Sequence, residues 1–311
     1  MQTGRVLVTG AGGLVGRGLV GALCADGVPT RLLLRRPPAD AGTGPEVVVG
    51  DLRDPAACAA AVADVELVVH AAGVMHSTAA EPADFDAVNR AGTLALAGAA
   101  AAAGARRLVF LSSVAVYGDG DLDGADEDHP LAPSGPYGES KRAAEEQLLA
   151  LSRDTGLEVV VLRPCGVYAP GESPFLEVLV ARCLAGELPA ALDPTVPLGL
   201  VHRDDVLQAV RLAATVPGAA GRTYNVAEGV RRPLGEVLDG MAEAAFARGL
   251  RVPPRSGGPD PMVTGMVGRA RYVSVDRARR ELGYAPARPL PDGLAAVLDA
   301  VLARGSQPCS S

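Results

Sequence analysis

A β-branched run, Arg5-Val6-Leu7-Val8-Thr9, passes directly into Gly10-Ala11-Gly12-Gly13-Leu14-Val15-Gly16 and then into an apolar helical pattern. This order of strand, glycine turn and helix limits the fold more than any other feature of the chain. Gly10 permits a tight turn, Gly13 lets the backbone approach a pyrophosphate, and Gly16 lets the helix lie close on the sheet. The helix start, with Leu14 and Val15 in its first turn, offers unpaired N–H groups and a positive dipole end to the phosphates. An ordinary turn can carry the same letters in a chain with 38 glycines. The flanking strand and helix give the trio its meaning as a dinucleotide-binding turn.

The alternation continues along the first 165 residues. Strands are expected at Arg5–Thr9, Thr30–Leu34, Glu46–Val49, Leu67–His70, Arg107–Leu111 and Glu158–Leu162, and helices at Leu14–Asp26, Pro55–Val62, Phe85–Gly104 and Tyr137–Thr155. Short apolar runs separated by helical stretches indicate an α/β fold, a Rossmann-type doubly wound parallel sheet covered on both faces. Beyond Arg163 the alternation fades and Pro/Gly-rich pieces separate helices at Phe175–Ala185, Asp204–Ala214 and Leu234–Arg248. The expected organisation is a dinucleotide-binding domain over 1–165 and a smaller C-terminal substrate lobe over 166–304. The chain is expected to return to the main sheet near 198–227 and to end in a loose tail over 305–311.

With 48% hydrophobic and 21% charged residues the chain reads as globular, and its net charge of −7 argues against a nucleic-acid partner. The most apolar-looking stretch, Leu94 to Ala105, is mostly Ala and Gly and too short for a membrane span. The N-terminus shows no charged-then-apolar leader, so a cytoplasmic chain without a membrane partner is expected. Cys24, Cys58, Cys165, Cys183 and Cys309 are scattered without a CxxC pair, so neither disulfides nor a metal site are expected.

Cofactor choice turns on the end of the second strand. NAD-binding proteins present a carboxylate there to the ribose 2′-hydroxyl, whereas Arg neutralises a 2′-phosphate. Here Leu34 is followed by Arg35-Arg36, which favours NADP (as NADPH) over NAD; a solvated surface pair is the ordinary alternative. Asp51, with Leu52, either holds the adenine edge or caps the helix beginning near Pro55.

Of the 29 basic residues, 28 are Arg and only Lys141 is Lys. It stands four residues after Tyr137, in Tyr137-Gly138-Glu139-Ser140-Lys141, hence on the same helix face. Reduction of a ketone needs a proton for oxygen as hydride reaches carbon. A free phenol, with a pKa near ~10, is a poor donor near neutrality, and an adjacent ammonium is expected to lower it. The same amine can hold the nicotinamide ribose. Ser112-Ser113 follow the strand Arg107–Leu111 at the sheet's carboxyl edge, where a hydroxyl can bond a substrate carbonyl.

The chain resembles the extended short-chain dehydrogenase/reductase family of nucleotide-sugar epimerases, dehydratases and ketoreductases. The segments that carry the likeness run over nearly the whole chain: Val8 to Gly16, Gly50-Asp51-Leu52, His70-Ala71-Ala72-Gly73, Val88 to Thr93, Leu111 to Gly118, Tyr137 to Lys141, Leu162-Arg163-Pro164, His202 to Asp205 and Tyr224-Asn225-Val226. The resemblance implies that Ser113 orients the carbonyl, Tyr137 is the acid/base and Lys141 binds ribose. It further implies that Ala71, Ala72 and Gly73 line the cofactor cleft, that Pro164 and Val167 lie near the nicotinamide, and that Asn89 supports the site. His76, Ser113, Cys165, Gly166 and His202 are expected on the substrate side, with His202 equally able to act at a helix start.

Dehydratases of that family carry Thr-Asp-Glu where this chain has Ser113-Val114-Ala115, so loss of water is not expected. Epimerases retain NAD, so Arg35-Arg36 favours a reductase. The expectation is an NADPH-dependent ketoreductase of a keto-sugar, nucleotide-linked; the alternatives are an epimerase, a reductase of a non-nucleotide natural-product ketone and, last, a non-catalytic dinucleotide sensor. Gly166 and Leu198 stand where diphosphate-binding relatives carry Asn and Arg, with Arg269 or Arg271 as possible substitutes. Relatives also dimerise through a four-helix bundle, which would engage Phe85–Gly104 and Tyr137–Thr155.

Overall fold

The computed structural model describes residues 4–37, 44–75 and 81–305. The chain opens with β1 (Arg5–Thr9), α1 (Leu14–Ala25), β2 (Thr30–Leu34), β3 (Glu46–Val49), α2 (Pro55–Val62) and β4 (Val65–His70). It continues through α3 (Pro82–Asp84), a π-helical stretch (Phe85–Gly92), α4 (Thr93–Ala102), β5 (Arg107–Leu111), a 3-10 turn (Val114–Tyr117), β6 (Leu122–Ala125), α5 (Gly135–Thr155) and β7 (Glu158–Pro164). Then follow β8 (Gly166–Tyr168), α6 (Pro174–Ala185), β9 (Pro197–Leu198), β10 (Leu200–His202), α7 (Arg203–Thr215), β11 (Thr223–Val226) and β12 (Arg232–Pro233). The last elements are α8 (Leu234–Phe246), α9 (Pro261–Val267), β13 (Arg271–Val273), α10 (Asp276–Leu282) and α11 (Leu290–Gly305).

Seven strands form one sheet in the order β11-β7-β5-β4-β1-β2-β3, and every pairing in it is parallel. The period-2 geometry of a strand sends Val6, Val8, Leu67, Val69, Val109 and Val160 to the core that contains Leu19 and Val210, on the side of α1 and α7. Leu7, Val68, Leu108, Phe110, Val159 and Val161 go to the opposite core with Ala61, Leu96 and Leu148, from α2, α4 and α5. Two covered faces explain why these strands read as continuous apolar runs. Each fully buried Val or Leu contributes roughly 1.5–3 kcal/mol, so the sheet is the rigid base of the molecule.

A third core packs Tyr168, Leu176, Leu179, Leu234, Val237, Leu294 and Val297 between α6, α8 and α11. Small strand pairs join this region to the sheet: β8 with β10, β9 with β12 and β6 with β13. In between, β11 enters the main sheet beside β7, with Asn225 and Val226 paired to Arg163 and Pro164. That pairing lengthens β7 by two residues beyond the expected Leu162. Pro164 is tolerated because it is the last residue of the strand.

The expected helix Phe85–Gly104 is not one regular helix. It divides into the wider π-helical stretch, which continues from α3, and α4, which ends at Ala102. The wide turn carries Asn89, whose side chain is fully buried and bonded away from its own helix. Such insertions recur where a helix must aim one residue at a site. Of the expected tail 305–311, residues 306–311 lie outside the described residues.

Candidate active site

Strand register gathers the site at one edge. Thr9 pairs with His70, His70 with Phe110, and Leu111 with Leu162, so the segments after β1, β4, β5 and β7 leave the sheet side by side. The strand order reverses at β1, which lies between β2 and β4. Ligands of such sheets collect at this crevice beyond the carboxyl ends.

Gly10 has φ +73°, and a Cβ there would lie 2.5 Å from the Ala71 carbonyl carbon and the Ala72 nitrogen. A Cβ on Gly16 would meet the Gly10 oxygen at 2.1 Å. These two glycines bring α1 onto the turn, which is closed by the Gly13 N–H donating to the Gly10 carbonyl at 2.9 Å. Gly12 is exposed with nothing within 4 Å of its Cβ position, and Gly13, the N-cap of α1, provides no side-chain cap. A backbone cradle with open space above it and helix N–H groups behind it fits a pyrophosphate. Leu14 and Val15 are half-buried behind it.

Across the edge, Ser113 caps the 3-10 turn by accepting from Ala115 N–H at 3.2 Å, and its hydroxyl is hydrogen-bonded with that of Tyr137. The close approach depends on Gly138, where a Cβ would stand 2.7 Å from the Ala115 oxygen. The Phe85 ring meets Tyr137 edge-on at 6.4 Å. Lys141, one turn further along α5, is buried; its Nζ donates to the Leu111 carbonyl at 2.8 Å and lies 4.7 Å above the Phe110 ring. Gly73 sits against the same amine, since a Cβ on it would lie 3.3 Å from Nζ. The serine and tyrosine named from sequence are thus paired, and the lysine, one turn along the same helix, reaches Gly73.

Burial pushes the Lys141 amine down to about 8, with the charge of Glu145 acting the other way. The expectation that Lys141 lowers Tyr137 is corrected: burial raises the Tyr137 phenol above its ordinary value, and the opposing influence is the Ser113 hydrogen bond. Desolvation of a phenolate outweighs that single hydrogen bond.

A buried polar chain supports these groups. Asn89 accepts from Val74 N–H at 2.7 Å and donates to the Val74 carbonyl and Ser140 Oγ, both at 3.0 Å. Ser140 in turn donates to the Tyr137 carbonyl at 2.8 Å. His70 bonds Thr9 Oγ1 at 2.6 Å and Thr93 Oγ1 at 2.8 Å, and Thr93 donates to the Asn89 carbonyl. Burial and the Lys141 charge push His70 down to about 3, so its ring is a neutral strut. Sequence reasoning missed this role of His70. The signal was a His at the end of an apolar strand, where a buried imidazole needs partners for both nitrogens.

At the other end of the cleft, Arg35 and Arg36 are exposed after β2. Asp51 does not cap α2; Asp54 does, accepting from Ala56 N–H at 2.9 Å. Asp51 is clamped by Arg53, which donates to it through Nε at 2.9 Å and Nη2 at 3.0 Å, and these bonds, with Arg35 nearby, hold the carboxyl below its usual range. Leu52 is buried beside it.

On the substrate side, Pro164 and Cys165 are buried, Val167 is half-buried and Gly166 is exposed, its N–H donating to the Gly199 carbonyl. His202 caps α7 by accepting from Asp204 N–H at 3.2 Å, and its ring packs edge-on against Tyr168. His76 lies outside the described residues. Arg271 donates to the Gly118 carbonyl at 2.7 Å and pairs with Asp119, while Arg269 donates to the Asp119 carbonyl at 2.8 Å. Both guanidiniums are engaged with the chain itself. Among the described residues no cluster of His, Cys, Asp or Glu could hold a metal ion, and no helix is long and apolar enough to cross a membrane.

Fold and site together define a dinucleotide-dependent enzyme of the extended short-chain dehydrogenase/reductase type. The chain belongs to the NAD dependent epimerase/dehydratase family, whose model matches residues 6–227. It is 31% identical to a dTDP-glucose 4,6-dehydratase of Streptomyces griseus, over 96% of this chain and 94% of that protein. It is 34% identical to a 3-diazoavenalumate denitrifying reductase of a Streptomyces species, over 92% and 97%. Among solved structures, MoeE5 in complex with UDP-glucuronic acid and NAD superposes with a TM-score of 0.80 at 30% identity, covering 97% of this chain and 100% of that one.

Proposed function

We propose that this chain is an NADPH-dependent ketoreductase, with Tyr137 as the acid, Ser113 as the carbonyl-orienting hydroxyl and Lys141 as the ribose-binding cation; its substrate is a keto-sugar. The observation that carries the reading is the Ser113–Tyr137 hydroxyl pair, with Lys141 one turn further along the same helix and its amine on the Leu111 carbonyl, at the sheet edge that bears the glycine turn. NADPH, held at the glycine turn and by Lys141, would supply the hydride for the carbonyl carbon. Tyr137 then delivers its proton to the carbonyl oxygen, which Ser113 holds by a hydrogen bond. Burial favours the protonated phenol, the form that can donate. NADP is favoured because two exposed arginines, Arg35 and Arg36, directly follow β2.

A second reading, a ketone without a nucleotide, is favoured by one feature. Leu198 is buried, Gly166 has no side chain, and Arg269 and Arg271 are spent on Gly118 and Asp119, so none of these positions offers a diphosphate a charge-assisted donor. NADPH oxidation with nucleotide-linked keto-sugars and with free ketones separates the two. The acid itself is tested by Tyr137→Phe: turnover should fall by roughly 10²–10⁴-fold with cofactor binding retained. Unchanged turnover would refute it.

A further inference from the structure

Four residues beyond Lys141, and so on the same face of α5, stands Glu145. Its carboxylate is buried, with a side chain 2% exposed, and in such surroundings it must pair with a cation. Two cations are within reach of that face, and the structure shows which holds it. Arg163, at the end of β7, donates to Glu145 through Nε at 3.1 and 3.2 Å and through Nη2 at 2.6 Å. The remaining Nη1 donates to Tyr117 Oη at 2.9 Å, and Tyr117 donates to Asn225 at 2.8 Å. The Tyr117 ring lies under the guanidinium at 5.0 Å. A planar fork held on three sides has little freedom to turn away.

We propose that Arg163 is a positioning residue for Lys141: by occupying both oxygens of Glu145 it keeps that buried carboxylate from capturing the lysine, whose ammonium stays on the Leu111 carbonyl and in the cleft. The inference rests on the proposed role of Lys141. Lys141 faces the titratable groups Tyr137 and Glu145 on its own helix and His70 on β4; β5 presents it with the Phe110 ring and the Leu111 carbonyl. Glu145 is the one anion in that set, and Tyr137 and His70 are neutral near pH 7. Glu145 already acts to raise Lys141 against the effect of burial. Without Arg163 the carboxylate would turn its full field on the amine in a poorly solvated interior.

The test is the pH dependence of kcat in Glu145→Gln, Arg163→Met and the double variant, with melting curves recorded for each. In the proposed reading Lys141 acts as a cation, so activity declines as pH rises through its pKa. Removing the Glu145 charge lowers that pKa and should move the alkaline limb to lower pH. Removing Arg163 unmasks Glu145 and should move the limb to higher pH, by about one unit, and raise the cofactor KM. The double variant, which removes both charges, should return close to wild type. Opposite displacements are not produced by a merely structural role. Displacements of the same sign, or none, in folded variants would overturn the inference; if Arg163→Met does not fold, Glu145→Gln must shift downward and the double variant must recover. Lys141→Met separates the two readings: retained turnover in that variant overturns the proposed site, whereas its loss alongside unshifted limbs overturns only the role of Arg163.

Discussion

Replacing Gly16 by Ala probes the packing on which the cofactor site is built. The new Cβ would stand 2.1 Å from the Gly10 oxygen, 2.7 Å from the Gly10 carbonyl carbon and 2.8 Å from Ala11 Cα. All three are backbone atoms, so no side-chain rotation relieves the contact, and α1 must lift from the turn. Overpacking of this kind costs typically 1–3 kcal/mol, and rigid neighbours put this site at the upper end, about 3 kcal/mol. For a chain of 311 residues, with an unfolding entropy of roughly 2.1 cal/mol/K per residue, that lowers Tm by roughly 5 °C. Gly12→Ala is the control: its Cβ meets nothing within 4 Å and its φ is not positive, so Tm should stay where it is. The turn position that approaches the pyrophosphate is Gly13, so Gly13→Ala, whose Cβ would lie 3.3 Å from the Gly10 oxygen, should lower NADPH affinity. Differential scanning calorimetry and fluorescence titration with NADPH read the two effects separately. A wild-type Tm for Gly16→Ala would refute the packing argument, and wild-type NADPH binding by Gly13→Ala would refute the placement of the pyrophosphate.

Two further outcomes are expected. Arg35→Ser/Arg36→Ser should weaken NADPH binding by roughly 10–100-fold, the loss of one charge-assisted contact of about 1.5–3 kcal/mol, and leave NADH binding unchanged; equal losses for both cofactors in isothermal titration would exclude 2′-phosphate recognition. His70 is held neutral in the fold, down to about 3 against ~6.5 in an unfolded chain, so the unfolded state binds the extra proton first. Its contribution to stability is therefore complete above pH ~6.5 and is lost as pH falls toward 3. His70→Asn should flatten the acid limb of a denaturant-midpoint profile across that window, and an unchanged slope would show that His70 is not buried neutral.

Much of this molecule was legible in the residues themselves, and the reason is that the relevant interactions are local. A strand, three glycines and a helix are contiguous from Arg5 to Ala25, so their period and turn chemistry announce the nucleotide-binding unit without reference to anything distant. Tyr137 and Lys141 share a helix face because four residues make about one turn, and the lone lysine drew attention to itself. What sequence could not supply was the field at each group. Whether Tyr137 rises or falls depends on how deeply α5 is buried. The partner of Glu145 is chosen by a strand end 18 residues away, and Arg271 is engaged by a loop 152 residues before it. The break in the helix after Phe85 likewise follows from Asn89 reaching Val74 and Ser140, contacts that exist only once the sheet edge has assembled. Local pattern thus determined the elements and the chemical groups, and tertiary packing decided their protonation and their partners, because desolvation and charge pairing depend on distance in space and not on spacing along the chain.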